Sequence, residues 1–169
     1  MIIDKIDRPA PDPEKPPNYY TIDEIIEALE LAKGTRIYLP ALLASILGLS
    51  RSELLGIKWD AINFNAGTIT VMRKMTRDKA AHKDVVSRNL KTAARARTLV
   101  LPRFLLDYLQ EVKKRTASLP SLRYADYICV DDDGTMPTLS AITDRWRRFV
   151  QRQGLKRIRL HDLRHSCAS

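Results

Sequence analysis

The sequence predicts an α+β protein, mostly helical, with one small antiparallel three-stranded sheet. Three observations carry this. Apolar residues recur at helical spacing in most segments, as in PRFLLDYLQEVKKRT and TLSAITDRWRRFVQRQG. One central block changes period: turn residues are followed by β-branched ones in NAGTITVMR, and again in RTLVLP. Proline and glycine punctuate the boundaries between the two kinds of segment. At 169 residues the chain is long enough to bury a real core.

The elements follow in order. Five prolines fall between Pro9 and Pro17, so residues 1–17 read as an extended linker or arm, and residues 18–169 as the folded unit. TIDE is a capping box, with the Thr21 hydroxyl and the Glu24 carboxylate each covering an orphan amide, and the helix it opens runs to about Lys33 before Gly34. Tyr19 and Tyr20 anchor that helix. IYLPALLASILGL is a buried helix broken at Gly48, and SRSELLGIKW restarts a short one. A strand lies around Thr68–Arg73, another at RTLVLP, and a third in the polar, basic segment between them. PRFLLDYLQEVKKRT returns to a helix with bases collecting at its C-terminus. ADYICV is extended, DDDG turns, and Leu139, Ile142, Trp146, Phe149 and Val150 make the apolar face of a last long helix whose other face is arginine-rich.

Charge gives the first functional clue. The formal net charge is +9, and it is segregated: residues 71–100 hold nine Lys or Arg against Asp78 and Asp84, and a second basic cluster spans Arg145 to Arg164. Two basic stretches around apolar segments suggest a folded cationic face, the usual footprint of nucleic acid, with a generally basic solvated surface as the rival. No apolar run approaches the length of a membrane span, and Cys129 and Cys167 lack metal or redox spacing, which points to a reducing cytoplasm.

The densest chemistry is HDLRH at 161–165. If it opens a helix, His161 and Arg164 share a face, as do His161 and His165. Arginine grips two phosphate oxygens at once, and histidine moves a proton near neutral pH. These are the tools of phosphoryl transfer. A zinc reading of HxxxH lacks a positioned Glu and a third ligand, so no metal is expected. Alone, the motif would more commonly be a structural histidine beside a surface arginine.

It does not stand alone. The order GLSRSELLGIKWDAINF, then LKTAARARTLVLP, then IRLHDLRHSCAS resembles the tyrosine recombinases, or phage-type integrases, over roughly residues 18–169. The resemblance implies the catalytic core of a DNA breaking–rejoining enzyme: a tyrosine attacks a DNA phosphate, a 3′-phosphotyrosine forms, and religation completes site-specific recombination without metal or other cofactor. It places the second catalytic arginine at Arg164, an acid/base histidine at His161, and the lysine that protonates the leaving 5′ oxygen at Lys91. A lysine beside cationic neighbours has a lowered pKa, which suits that proton donation. His165 has a supporting role. Arg95 and Arg97 would touch backbone phosphates, with solvated hairpin charges as the alternative.

Two departures qualify the resemblance. The family's first block reads Gly-Leu-Arg; here Ser50 occupies the arginine's slot, with Arg51 a candidate substitute and DNA contact. Successive residues at a helix start point about 100° apart, and serine favours the capping position, so Ser50 itself reads as a cap. The nucleophilic tyrosine of the family follows the His-x-x-Arg box, whereas Tyr19, Tyr20, Tyr38, Tyr108, Tyr124 and Tyr127 all precede it. The expectation is an incomplete catalytic domain, inactive alone, whose partner is double-stranded DNA. Family members act as tetramers on DNA, and this chain is expected to be monomeric in isolation. The expected setting is the cytoplasm of a bacterium, for a host or phage gene. The alternative is a non-cleaving DNA-binding module derived from an integrase. An unrelated RNA-binding domain fits poorly, because no aromatic stacking platform is evident.

Overall fold

The computed structural model describes residues 19–87, 96–119 and 123–168, the last four of these by backbone alone. The expectations for the 1–17 arm, for Lys91 and for Arg95 lie outside the described residues.

Helix α1 (Ile22–Ala32) begins at the predicted capping box: the Glu24 amide donates to Thr21 Oγ1 at 3.2 Å, and the Thr21 amide to Glu24 Oε2 at 2.7 Å. Helix α2 (Tyr38–Leu47) is almost entirely core and ends at Gly48 in the left-handed region, φ 60°. Two residues later α3 (Arg51–Gly56) starts on a second capping box, formed by Ser50 and Glu53. A 3-10 turn over Trp59–Ala61 then leads into the sheet.

The three-stranded antiparallel sheet is present, but its membership differs from the expectation. Its order is β1 (Ile62–Asn63), β2 (Thr68–Val71), β5 (Arg97–Val100), with Ile62 opposite Ile69 and Thr68 opposite Val100. The basic segment instead forms a hairpin of its own, β3 (Lys74–Asp78) with β4 (Lys83–Ser87). The third strand of the sheet was hidden because two residues carry no alternation. Only the turn after it, where Asn63 Oδ1 accepts from the Ala66 amide at 2.9 Å, leaves a sequence trace. Helices α4 (Arg103–Ala117) and α5 (Leu139–Arg152) follow, and the extended segment between them pairs with the chain after α3 around an isolated bridge, Lys58 with Tyr127, where the Trp59 amide donates to the Asp126 carbonyl at 2.9 Å and the Ile128 amide to the Ile57 carbonyl at 3.2 Å.

The hairpin is pinned at both ends. On one side Gly56, the last residue of α3, lies so close to Lys74 that a Cβ there would sit 2.6 Å from the Lys74 Cα. On the other, the Asp84 carboxylate accepts from the Leu139 amide at 2.8 Å and so covers an orphan donor at the start of α5.

The chain then turns back through 155–159 into a terminal 3-10 helix, Leu160–Ala168. Three contacts lock this return. Trp146 donates from its indole to the Ile158 carbonyl at 2.9 Å. Tyr20, buried beside Trp146, donates to the Lys156 carbonyl at 2.7 Å. Asp162, 3% exposed, accepts from the Arg159 amide at 2.9 Å and from the Arg159 guanidinium at 3.0 Å. Burial alone would push the Asp162 carboxyl up; the donors from Arg159, with a smaller contribution from the charge of His161, outweigh it and hold the carboxyl below its ordinary range.

These features lead to two predictions. Alanine at a helical position ordinarily stabilises relative to glycine, yet Gly56→Ala must push against backbone. It is expected to cost about 1–3 kcal/mol and lower Tm by several degrees; an unchanged or raised Tm would contradict the close approach. Because the folded pKa of Asp162 is depressed, its contribution is present above the ordinary value of 3.8 and is lost as pH falls through the folded value. Thermal melts down to about pH 3 should therefore show a shallower acid loss for Asp162→Asn than for the wild type.

Candidate phosphate-binding site

A 3-10 helix has three residues per turn, so side chains at i and i+3 stand directly above one another. In the terminal segment this sorts the motif cleanly. Asp162 and Leu163 face inward, 3% and 1% exposed, while His161 and Arg164 share the exposed column. An α-helix would also have set position 165 over His161. With three residues per turn, backbone position 165 falls a third of a turn away from His161; the expected pairing of His161 with Arg164 is the one that lies within the described side chains, and that of His161 with His165 lies outside them.

The second element of the site is the turn between α2 and α3. The side-chain stem of Arg164 runs beside Gly48, where a Cβ would lie 3.6 Å from Arg164 Cγ. The first and last blocks of the sequence thus meet here, across more than a hundred residues. Leu49, fully buried, fixes the turn from beneath, and Ser50 stands at the N-cap of α3.

Ser50 acts as a cap in geometry as well as in sequence. Its hydroxyl accepts from the Glu53 amide at 3.4 Å, and its own amide donates to Glu53 Oε2 at 2.8 Å. Arg51, the next residue, points elsewhere: its Nη1 donates to Thr143 Oγ1 on α5 at 2.7 Å.

The third element enters from β5. Arg97, its first residue, places Nη1 2.6 Å from Glu53 Oε1 and Nη2 3.0 Å from Glu53 Oε2. This fork joins the strand that follows the basic segment to the start of α3. Burial would raise the Glu53 carboxyl; hydrogen bonds from Arg97 and from Ser50 outweigh it and hold the group below its ordinary range. Glu53 completes the capping box with Ser50. Its second duty, holding Arg97, has no sequence signal, because the partner lies 44 residues away.

A separate ionic cluster supports α5. The buried Asp131 accepts both terminal nitrogens of Arg145, and Arg36 approaches it at 3.6 Å. These arginines belong to a cavity of about 410 Å³ that also includes Tyr38, Tyr108 and Cys129. Burial pushes the Cys129 thiol up to about 12, which makes it an inert core group.

The six tyrosines are all accounted for away from the Arg164 column. Tyr20 is held by the Lys156 carbonyl, and burial, followed by the charges of Glu24 and Glu27, pushes its hydroxyl up to about 12. Tyr38 and Tyr108 meet edge to face at 5.6 Å between centroids, and Tyr124 and Tyr127 at 6.2 Å. Tyr19 is 40% exposed next to the start of α1. Among the described residues, no group of three or more His, Cys, Asp or Glu side chains converges in a manner that would hold a metal ion.

Comparison with known proteins agrees with this layout. Residues 20–169 match the family model described as the phage integrase family. A protein named tyrosine recombinase XerC-like, from Caldanaerobacter subterraneus subsp. tengcongensis, is 26% identical over 164 residues, an alignment covering 89% of this chain and 42% of that protein. Among solved structures, the Tn1549 transposon integrase in complex with transposon right end DNA superposes with a TM-score of 0.72 at 18% identity, covering 94% of this chain and 54% of that one. XerA recombinase gives 0.69 at 21% identity, covering 94% and 50%. The lambda integrase catalytic core gives 0.57 at 17% identity, covering 90% and 85%. The chain spans under half the length of the curated relative, and about half the length of the first two of these structures. The fold is that of a tyrosine-recombinase catalytic domain, and the chain belongs to the phage integrase family.

Proposed function

We propose that this chain is the phosphate-gripping part of a site-specific DNA recombinase, acting by strand cleavage and rejoining through a 3′-phosphotyrosine. The observation that carries the reading is the shared exposed column of His161 and Arg164, set against the Gly48 turn that opens the first block. In the reaction, a tyrosine oxygen bonds to the scissile phosphorus and the bond from phosphorus to the 5′ oxygen breaks. Arg164 neutralises the non-bridging oxygens, whose charge grows toward the transition state. His161 holds or moves the proton of the attacking hydroxyl, and Lys91 gives a proton to the departing 5′ oxygen. His165 supports the box, and Arg51, Arg95 and Arg97 contact DNA. Rejoining reverses the same steps on another strand.

The attacking tyrosine, in this reading, is none of the six present. Tyr20 and Tyr108 carry hydroxyls whose pKa values are raised by burial, Tyr38, Tyr124 and Tyr127 stack on other tyrosines, and Tyr19 stands exposed at the start of α1. Ser50, serving as a cap where the resemblance calls for arginine, favours a second reading, that of a binding module which never cleaves. Both readings share the same partner, double-stranded DNA, with assembly into tetramers on it and a cytoplasmic setting. No helix among the described residues is long and apolar enough to cross a membrane.

Affinity for duplex DNA should fall steeply with salt, since each neutralised phosphate releases counterions. Fluorescence anisotropy across a salt series is expected to give a steep negative log–log slope, reduced in magnitude by about one for Arg164→Ala. A flat response in the wild type would remove the DNA-facing surface. On a nicked duplex that traps covalent intermediates, the chain itself should form no adduct visible by denaturing electrophoresis. A trapped phosphotyrosine would place the nucleophile among the six tyrosines.

A further inference from the structure

We propose that Arg97 is a second phosphate-contacting guanidinium of this site, delivered from β5 and held in place by Glu53, and that it supplies the charge position 50 lacks. The inference rests on the phosphate-binding reading above. Glu53 Oε2 is shared: it accepts from the Ser50 amide at 2.8 Å and from Arg97 Nη2 at 3.0 Å. A guanidinium therefore stands one carboxylate oxygen away from the backbone of Ser50. An arginine at 50 would have rooted its own side chain there. The same turn carries Gly48, against which the stem of Arg164 lies. Two arginines from distant parts of the sequence thus flank a single three-residue turn.

The chemistry of the fork favours contact with an anion over service as a strut alone. A guanidinium has five N–H donors, and Glu53 takes one from each terminal nitrogen, leaving three that point away from the carboxylate. The side chain of Arg97 remains 35% exposed, whereas that of Glu53 is 17% exposed, so the carboxylate is the inner partner and the cation the outer one. The pair presents its positive end outward. Holding the fork from behind also fixes its plane, which limits the rotamer freedom lost on gripping a phosphate. Arg51 is less suited, because its guanidinium is directed to Thr143 on α5.

Removing the pair as a unit separates the two roles. Glu53→Gln with Arg97→Met leaves no unpaired carboxylate, and glutamine serves at the third helical position of a capping box as glutamate does. The probe is inorganic phosphate, titrated into the whole chain and followed by amide chemical shifts, with thermal melting to confirm the fold. The double variant is expected to bind phosphate about tenfold more weakly. Adding Ser50→Arg to it should restore most of that loss, because the new guanidinium would occupy the same place. If the folded double variant binds as tightly as the wild type, or if Ser50→Arg restores nothing, Arg97 is a strut and the inference fails. A His161→Ala, Arg164→Ala variant run in parallel keeps the two conclusions apart. Should it weaken binding while the Glu53/Arg97 variant does not, only this inference falls. Should neither weaken it, the phosphate site itself falls.

Discussion

Everything in the site depends on the turn at Gly48, Leu49 and Ser50. A left-handed residue ends α2, a fully buried leucine plugs the gap, and a capping serine starts α3 within three positions. Each constraint has a separate physical origin. The left-handed φ is cheap only for a residue without Cβ. The leucine anchors the turn by leaving water. The Ser50–Glu53 box satisfies amides that the new helix leaves without partners. With the turn fixed this way, its outer surface is a rigid ledge, and Arg164 lies along it.

Across the fold, charge is managed by pairing arginines with carboxylates. Asp162 holds Arg159, Asp131 holds Arg145, and Glu53 holds Arg97. In each case the carboxylate is the more buried partner, so the pairs orient cations outward. An arginine held this way keeps its charge and gives up its freedom. Arg164, among the described residues, has no carboxylate opposite it, which leaves its fork open to an anion from outside. Cations on the exposed helix faces are held differently, by neighbours one turn away: Lys33 by Glu30, Arg103 by Asp107, Lys114 by Glu111 and Arg147 by Asp144.

Much of this was legible in the sequence, for reasons that can be named residue by residue. TIDE and SRSE announced their helix starts because capping is a local interaction, complete within four residues. The apolar face of α5 was legible from Ile142, Trp146, Phe149 and Val150, because helical period is a property of one segment. The strand Ile62–Asn63 was not, since a two-residue strand exists only by virtue of the partner it meets. The hairpin of Lys74–Asp78 with Lys83–Ser87 reads as polar and aperiodic because it is pinned through backbone, by Gly56 on one side and the Leu139 amide on the other. The pair of Glu53 with Arg97 escaped for the same reason: an ion pair between residues 44 apart has no period and no local motif. The pair of Asp162 with Arg159 is local, three residues apart, and what the sequence did not show is that its carboxylate is buried.

The terminal helix shows how a small change in backbone geometry selects among the chemical readings of one motif. HDLRH offers two histidines and an arginine, and in a helix of 3.6 residues per turn His161 would face both Arg164 and position 165 about equally. Such a face suits two ligands for a metal as well as one clamp for a phosphate. With three residues per turn only i and i+3 stand directly above one another, which sets Arg164 over His161. Two inward anchors hold the segment: Asp162 is tied to the amide and guanidinium of Arg159, and Leu163 is fully packed. The buried residues of the motif, Asp162 and Leu163, thereby fix the side on which His161 and Arg164 stand exposed.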